Sequence, residues 1–265
     1  MLKTGFVGGG NMAGAMIGGM MKSGVFTPGE IVVSDASTKA LEALREKFAV
    51  DTTPCNREAV SEAELVVLTV KPQVYGKVLD EIKDLVDETK IVMTVAPGWT
   101  LERTQAALGK PCKMVRAMPN TPALVGEGMT AVCPNERVTP AEMEQVLAMS
   151  SSFGRVEVLP ESQFDAFVAL CGSSPAFVFM MIEAMADAAV WEGLPRAQAY
   201  SLASQAVLGS ARMVLELGKH PAELKDMVCS PGGTTIEGVR ALEEKGLRAA
   251  VMEALRRTAD KARSL

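Results

Sequence analysis

The clearest chemical signal in the chain is a glycine-rich hexapeptide, Gly8-Gly9-Gly10-Asn11-Met12-Ala13, which follows a short apolar run. Its spacing fits the Gly-x-Gly-x-x-Gly/Ala fingerprint of dinucleotide-binding proteins. Gly8 permits a tight turn, Gly10 lets the backbone approach a pyrophosphate, and Ala13 lets the following helix pack closely on the strand. The first N–H groups of that helix then face the phosphates. An ordinary glycine-rich turn is the alternative, and the position between a strand and a helix favours the dinucleotide.

The choice between NADH and NADPH depends on the corner that follows the second predicted strand. Asp35 ends this strand, where a carboxylate can accept hydrogen bonds from an adenosine ribose and disfavours a 2′-phosphate. The neighbouring polar residues could receive such a phosphate, so the sequence leaves the choice open. Asp35 could also serve only as a helix N-cap. The neighbours in question are Ser34, Ser37, Thr38 and Lys39.

Two further segments follow predicted strands of the same sheet. Val70-Lys71-Pro72-Gln73 and Val95-Ala96-Pro97-Gly98 stand at carboxyl ends of strands, where ligands bind in open α/β sheets. Lys71 could face phosphate or substrate, or it could be an ordinary exposed lysine. The backbone of the second segment could line a nicotinamide pocket.

A second candidate site lies near the C-terminus, in Ser230-Pro231-Gly232-Gly233-Thr234-Thr235. Two glycines and two threonines begin a helix here, and helix N-termini attract anions. We expect the free N–H groups to hold a substrate carboxylate and a threonine hydroxyl to lie beside the reacting group. The alternative is a plain N-cap, because threonine is a common capping residue.

Several chemical classes find no support in the residues. The single histidine, His220, precedes a proline at a predicted helix start, where a structural role is expected. The five cysteines form no Cys-x-x-Cys pair, no Gly-x-Ser-x-Gly elbow is present, and we predict no metal site. The net charge of −5 comes from interspersed acids and bases, which argues against nucleic acid as a partner.

No membrane association is expected either. The uncharged stretch Ala166 to Ile182 approaches transmembrane length, but Gly172-Ser173-Ser174-Pro175 interrupts it and acidic residues flank it. A buried helix of a soluble protein is the preferred interpretation. The first residues lack the pattern of a signal peptide, so we expect a cytoplasmic location.

The hydrophobic pattern predicts the elements that position these residues. Short β-branched runs alternate with amphipathic stretches in the first half, which predicts a doubly wound α/β domain at residues 1–159. After Leu159 the strand-like runs vanish, and residues 160–265 should be helical, with breaks near Gly193-Leu194-Pro195, Gly218 and Ser230 to Gly233. The predicted strands are Thr4 to Gly8, Glu30 to Ser34, Leu65 to Val70, Lys90 to Val95 and Lys113 to Met118.

One helix of the second half predicts a subunit interface. Ala176 to Val190 is apolar on most of its circumference, so more than one neighbour must cover it. A helical domain of about a hundred residues cannot easily do this alone. We therefore expect the same domain of a second subunit to complete it, giving a homodimer.

The stretch Leu224 to Leu242 resembles the C-terminal signature of the pyrroline-5-carboxylate reductase family. The resemblance extends over essentially the whole chain, through motifs that are specific in combination. They are Gly8 to Ala13, Val70-Lys71-Pro72, Arg116-Ala117-Met118-Pro119-Asn120-Thr121-Pro122, Gly172-Ser173-Ser174-Pro175-Ala176, and His220-Pro221 through Thr235.

The resemblance implies a Rossmann-like domain followed by a helical dimerisation domain, with dimers commonly assembling into decamers and an active site between domains. It implies NADPH or NADH as cofactor, with NADPH favoured. The implied substrate loop is Ser230 and Gly232 to Thr235, with the Thr235 hydroxyl near the imine nitrogen as the catalytic group. The implied cofactor contacts are Gly8 to Gly14, Ser34, Asn56, Val70, Lys71, Pro72, Val95, Ala96 and Pro97.

The implied activity is hydride transfer to the C=N bond of 1-pyrroline-5-carboxylate, which gives L-proline in the last step of proline biosynthesis. A β-hydroxyacid dehydrogenase-like enzyme is one rival, but its catalytic lysine is missing, because no lysine stands between Lys113 and Lys219. A dinucleotide sensor without turnover is the other rival, and the loop at Gly232 to Thr235 would have no purpose there. Arg116 either has a function or pairs with an acid.

Overall fold

A single eight-stranded sheet occupies the N-terminal part of the computed structural model, which describes residues 2–264. The strand order is β3-β2-β1-β4-β5-β6-β7-β8, and the first six strands are parallel. This confirms the predicted doubly wound α/β domain. The strands are β1 (Thr4–Val7), β2 (Ile31–Ser34), β3 (Asp51–Thr53), β4 (Leu65–Leu68), β5 (Ile91–Thr94), β6 (Lys113–Met118), β7 (Gly128–Pro134) and β8 (Gly154–Val158).

Three of these strands are absent from the sequence prediction, and each lacks a clear apolar run. β3 is only three residues long and polar, β7 contains Gly128, Thr130 and Pro134, and β8 is mostly exposed at the edge of the sheet. β7 runs antiparallel to β6, so the sheet is mixed rather than wholly parallel. The backbone pairing of these strands is decided by neighbours that are distant in sequence.

The parallel strands are apolar throughout because both faces of the sheet are covered. Phe6 and Val67 belong to one buried cluster, whereas Val7 and Val66 belong to the cluster on the opposite face. This alternation follows from the two-residue period of a strand. The carboxyl ends of β1, β4 and β5 are therefore held between two packed layers.

Six helices follow strands of the first half. α1 begins directly after the glycine-rich turn and ends at Ser23. Its C-cap is Gly24, whose φ of 69° is left-handed and suits glycine. The six are α1 (Asn11–Ser23), α2 (Thr38–Phe48), α3 (Asn56–Ser61), α4 (Tyr75–Ile82), α5 (Leu101–Leu108) and α6 (Pro140–Ser151).

Helices fill the chain after β8, as predicted. The break at Gly193-Leu194-Pro195, the left-handed cap at Gly218 and the start at His220-Pro221 are confirmed. The helices are α7 (Phe164–Phe167), α8 (Ser174–Trp191), α9 (Arg196–Leu217), α10 (Pro221–Val228), α11 (Thr234–Glu244) and α12 (Leu247–Arg263).

Gly172-Ser173-Ser174-Pro175 does not interrupt the helical path, contrary to the prediction. A π-helical turn at Val168–Ser173 joins α7 to α8, and Pro175 lies in the first turn of α8. Proline is tolerated there because the first N–H groups of a helix have no intrahelical partner. The structure therefore continues as a helix where the sequence predicts a break.

The described chain divides into two units, residues 2–172 with 258–264 and residues Ser173–Arg257. In the second unit α8 and α9 pack through small side chains, Ala186, Ala199 and Ala203. Most of α8 is nevertheless exposed in the single chain, with Phe179 at 60% and Met180 at 67%. Among the described residues, Glu161–Trp191 is the one stretch long and apolar enough to cross a membrane by length and composition.

Candidate functional site

The glycine turn after β1 has the conformation that the fingerprint requires. Gly8 has a φ of 108°, and a Cβ added there would lie 2.8 Å from the backbone nitrogen of Val70. A side chain is therefore excluded both by backbone strain and by contact with the end of β4. The Thr69 hydroxyl donates to the Gly8 carbonyl oxygen at 2.7 Å, so the turn and the end of β4 are joined.

The N-terminus of α1 is open to an anion. Its N-cap is Gly10, no side chain caps it, and its first turn contains no acidic residue. A Cβ added at Gly10 would meet no atom within 4 Å, so the space above the turn is free. Ala13 is fully buried against the sheet, as predicted. Uncapped N–H groups and the helix dipole fit a pyrophosphate at this point.

Asp35 contacts the glycine turn directly. Its Oδ2 accepts a hydrogen bond from the Gly9 N–H at 2.7 Å, and its Oδ1 accepts one from the Ser37 N–H at 2.7 Å. The N-cap of α2 is Ser37, whose hydroxyl oxygen accepts from the Ala40 N–H. Asp35 is therefore not the N-cap, and its carboxylate instead fixes the turn that precedes α1.

Ser34 and Asn56 are in contact beneath the same corner. Ser34 is fully buried, and its hydroxyl donates to the Asn56 Oδ1 at 2.9 Å. The Asn56 side-chain amide donates in turn to the Glu81 Oε2 at 2.9 Å. Both polar groups thus have partners within the chain.

Tyr75 joins the ends of β4 and β5. Its hydroxyl donates to the Leu68 carbonyl oxygen and accepts from the Val95 N–H at 3.2 Å and from the Thr94 hydroxyl at 3.3 Å. Complete burial raises the pKa of Tyr75 to about 12. The residue therefore fixes the spacing of the segments that begin at Val70 and Val95.

Trp99 reinforces this connection. Its ring stacks on Tyr75 with centroids 5.0 Å apart, and its indole N–H donates to the Pro72 carbonyl oxygen at 3.2 Å. The Arg103 guanidinium lies over the Trp99 ring, 4.5 Å from its centroid. Sequence reasoning missed Thr69, Tyr75 and Trp99, because no local motif marks residues that act through contacts across strands.

The exposure of the two strand-end segments differs along their length. Lys71, Pro72 and Pro97 are exposed, whereas Ala96 is buried at 4% exposure. The backbone of the second segment is held from beneath by Tyr75, and the Gly98 carbonyl oxygen accepts from Arg103 at 2.7 Å. The two segments thus combine a fixed backbone with side chains that are open to solvent.

The second candidate site begins α11. Its N-cap is Gly233, with no side-chain cap, so the threonines do not serve as the predicted alternative N-cap. Gly232 has a φ of 67°, and the Gly233 N–H donates to the Ser230 carbonyl oxygen at 3.1 Å. Ser230 and Gly232 to Thr235 thus form one turn before the helix. Thr234 and Thr235 lie in its first turn, where N–H groups attract anions.

His220 and Arg116 have structural partners. His220 caps α10, with its Nδ1 accepting from the Ala222 N–H at 3.2 Å. The Arg116 Nη1 donates to the Glu161 Oε1 at 2.9 Å, and its guanidinium lies 4.6 Å from the Phe164 ring centroid. Of the two alternatives for Arg116, pairing with an acid is the one that the contacts support. Among residues 2–264, no group of three or more potential metal ligands is brought together.

Two family models match the chain. The model described as pyrroline-5-carboxylate reductase dimerisation matches residues 161–265. The model described as NADP oxidoreductase, coenzyme F420-dependent, matches residues 3–98. The chain thus contains a dimerisation region. The predicted domain boundary at residue 159 stays a prediction. The division of the structure into two units falls after Gly172.

Curated relatives match over nearly their full length. The pyrroline-5-carboxylate reductase of Escherichia coli K12 is 51% identical, covering 99% of this chain and 98% of the relative. That of Methanosarcina acetivorans is 42% identical, with coverage of 99% and 97%.

Solved structures of reductases with the same or a similar name also match the chain. A pyrroline-5-carboxylate reductase from Coxiella burnetii superposes with a TM-score of 0.93 at 37% identity, covering 99% of this chain and 98% of that one. The Plasmodium falciparum pyrroline carboxylate reductase, with NADP bound, gives 0.90 at 30% identity, covering 99% and 97%.

Proposed function

The chain belongs to the pyrroline-5-carboxylate reductase family, and from that premise we propose that it transfers hydride from NADPH or NADH to the C=N bond of 1-pyrroline-5-carboxylate, forming L-proline. It is an oxidoreductase of proline biosynthesis. The observation that carries the proposal is the 51% identity to a reductase of this name over 99% of the chain. The uncapped starts of α1 and α11 support it, because the cofactor and the substrate both carry anionic groups.

The cofactor would be held by the glycine turn and the strand ends. Gly8, Gly9 and Gly10 with Asn11, Met12 and Ala13 would bind the pyrophosphate. Ser34, Asp35 and Asn56 would form the ribose corner, and Val70, Lys71, Pro72, Val95, Ala96 and Pro97 would line the nicotinamide side. When bound, the nicotinamide supplies the hydride.

The substrate would be held by the turn before α11. The N–H groups of Thr234 and Thr235 would orient the carboxylate. Ser230, Gly232 and Gly233 would shape the turn, because the Gly233 N–H donates to the Ser230 carbonyl oxygen. The Thr235 hydroxyl would contact the ring nitrogen and stabilise its change of charge. A protonated imine is already electrophilic, so alignment suffices and no strong acid or base is needed.

We further propose that the chain works in the cytoplasm as a homodimer that can build into a decamer. The long apolar helical stretch Glu161–Trp191 supports the dimer, because it lies within the region that matches the dimerisation model. A partner subunit would cover the exposed side chains of α8.

The test is oxidation of NADPH and, separately, of NADH by the purified protein with racemic pyrroline-5-carboxylate, with proline identified as the product. Turnover with either cofactor supports the proposal. Cofactor binding without turnover would favour the dinucleotide-sensor alternative. Turnover of a 3-hydroxyacid instead would favour the dehydrogenase-like alternative. That chemistry would then need a group other than the usual catalytic lysine, because no lysine stands between Lys113 and Lys219.

A further inference from the structure

We infer that Asp35 makes this chain prefer NADH to NADPH. The inference rests on the proposed function, because it requires the dinucleotide to occupy the glycine turn. It goes against the preference for NADPH that the family resemblance favours. Four features of the corner after β2 carry it.

The first is that the Asp35 carboxylate is fixed. One oxygen accepts from the Gly9 N–H and the other from the Ser37 N–H, both at 2.7 Å. The side chain therefore cannot swing away from a ligand without breaking two hydrogen bonds to charged oxygen. Each carboxylate oxygen has a further lone pair, which suits the two hydroxyls of an adenosine ribose.

The second feature is that three N–H groups at the beginning of α2 are already engaged. The Ser37 N–H donates to Asp35, the Ala40 N–H to the Ser37 hydroxyl at 3.3 Å, and the Leu41 N–H to the Ser37 carbonyl at 3.1 Å. A 2′-phosphate needs several such donors. The beginning of α2 is thus capped from within the chain, unlike the beginning of α1.

The third feature concerns Ser34, which the sequence places among possible phosphate contacts. It is fully buried, with its hydroxyl directed to the Asn56 Oδ1 at 2.9 Å and to the Phe6 carbonyl oxygen at 3.3 Å. To bind a phosphate it would have to leave both partners.

The fourth feature is charge. Within residues 34–40 the basic residue is Lys39, on an exposed and flexible side chain. A phosphomonoester carries about two negative charges near neutral pH and would stand beside the fixed carboxylate. One mobile lysine does not offset that repulsion, whereas the uncharged ribose of NADH gains hydrogen bonds from the same carboxylate.

The experiment measures dissociation constants of NADH and NADPH by calorimetry, without substrate. We expect the wild-type protein to bind NADH at least about tenfold more tightly. Asp35→Asn removes the charge at nearly constant shape, and Asp35→Ser removes the carboxylate. Both should shift the ratio of the two constants toward NADPH by at least about tenfold. Glu42→Gln, which removes one negative charge from an exposed position on α2, should leave the ratio unchanged.

Equal or tighter binding of NADPH by the wild-type protein overturns the inference, and that measurement does not depend on any variant folding. An equal loss of affinity for both cofactors in Asp35→Asn also overturns it, because Asp35 would then only hold the turn. Failure of the wild-type protein to bind either dinucleotide is a different result, since it contradicts the proposed function itself.

Discussion

At the scale of single residues, Tyr75 shows how a polar group can be buried without being used in chemistry. Its hydroxyl has partners on both neighbouring strands, so the cost of removing it from water is offset by hydrogen bonds. Burial raises its pKa to about 12, whereas an unfolded tyrosine titrates near 10. The folded state therefore favours the neutral phenol.

This shift predicts a loss of stability in alkali. Because the folded pKa lies above the unfolded value, the stabilisation is complete below pH about 10 and is lost as the pH rises toward about 12. The chain contains two tyrosines, Tyr75 and Tyr200, so Tyr200→Phe leaves Tyr75 as the sole ultraviolet reporter of ionisation. We expect it to ionise near pH 12 in the folded protein and near 10 in urea. Coincident titrations in the two conditions would contradict the burial argument.

Thr235 allows a direct test of the proposed mechanism. Thr235→Ala should lower kcat/KM by about 100-fold, because a positioned hydrogen bond to the reacting group is lost. Thr235→Ser keeps the hydroxyl and should retain most of the activity. The N-terminus of α11 has no side-chain cap, so neither change should reduce thermal stability. Full efficiency in Thr235→Ala would show that its hydroxyl has no catalytic role.

At the scale of elements, glycine is required for two different reasons in the unit formed by β1, the glycine turn and α1. Gly8 is required by the fold, because its φ is positive and the end of β4 lies against it. Gly10 has ordinary backbone angles and open space around its Cα, so the protein itself does not require glycine there. The need at Gly10 arises only when a ligand approaches.

This contrast predicts opposite outcomes for two alanine substitutions. Gly8→Ala should lower the free energy of unfolding by about 1–3 kcal/mol or more, since strain and a 2.8 Å contact act together. Gly10→Ala should change stability by less than about 0.5 kcal/mol and yet weaken cofactor binding by at least about tenfold. Urea denaturation and calorimetric titration measure the two effects. Normal cofactor affinity in Gly10→Ala would contradict the proposal that the pyrophosphate binds at this turn.

At the scale of the whole molecule, the second unit has too little core for the apolar surface it presents. Trp191 is 89% exposed and Met252 is 71% exposed in the single chain, in addition to Phe179 and Met180 on α8. Exposed large apolar side chains in such number are typical of protein interfaces. The match of this region to a dimerisation model has the same implication.

We therefore expect sedimentation at twice the chain mass of 28.1 kDa or more. Met180→Glu should shift the equilibrium toward single chains, because a charge would be buried at the interface. Val25→Glu is the matched control, since Val25 is 51% exposed in the first unit and should leave assembly unchanged. A wild-type protein that sediments only as a monomer would contradict the dimer.

Much of the architecture follows from local patterns in the sequence. Apolar runs that lie between two covered faces identify β1, β2, β4, β5 and β6, and glycine and proline mark the ends of the later helices. The glycine fingerprint is likewise local, because one strand, one turn and one helix are contiguous in the chain. Family motifs near both ends of the chain identify the reductase family.

The tertiary structure decided what depends on residues distant in sequence. Short or polar strands such as β3 and β8 form only where a partner strand supplies hydrogen bonds. The role of Tyr75 appears only when β4 and β5 lie side by side. That of Arg116 appears only when Glu161 and Phe164 lie against β6. Asp35 and Ser34 are adjacent in sequence, yet one carboxylate contacts the glycine turn and the other side chain is buried. Sequence determines which groups are present, but the directions of side chains are decided by packing between elements.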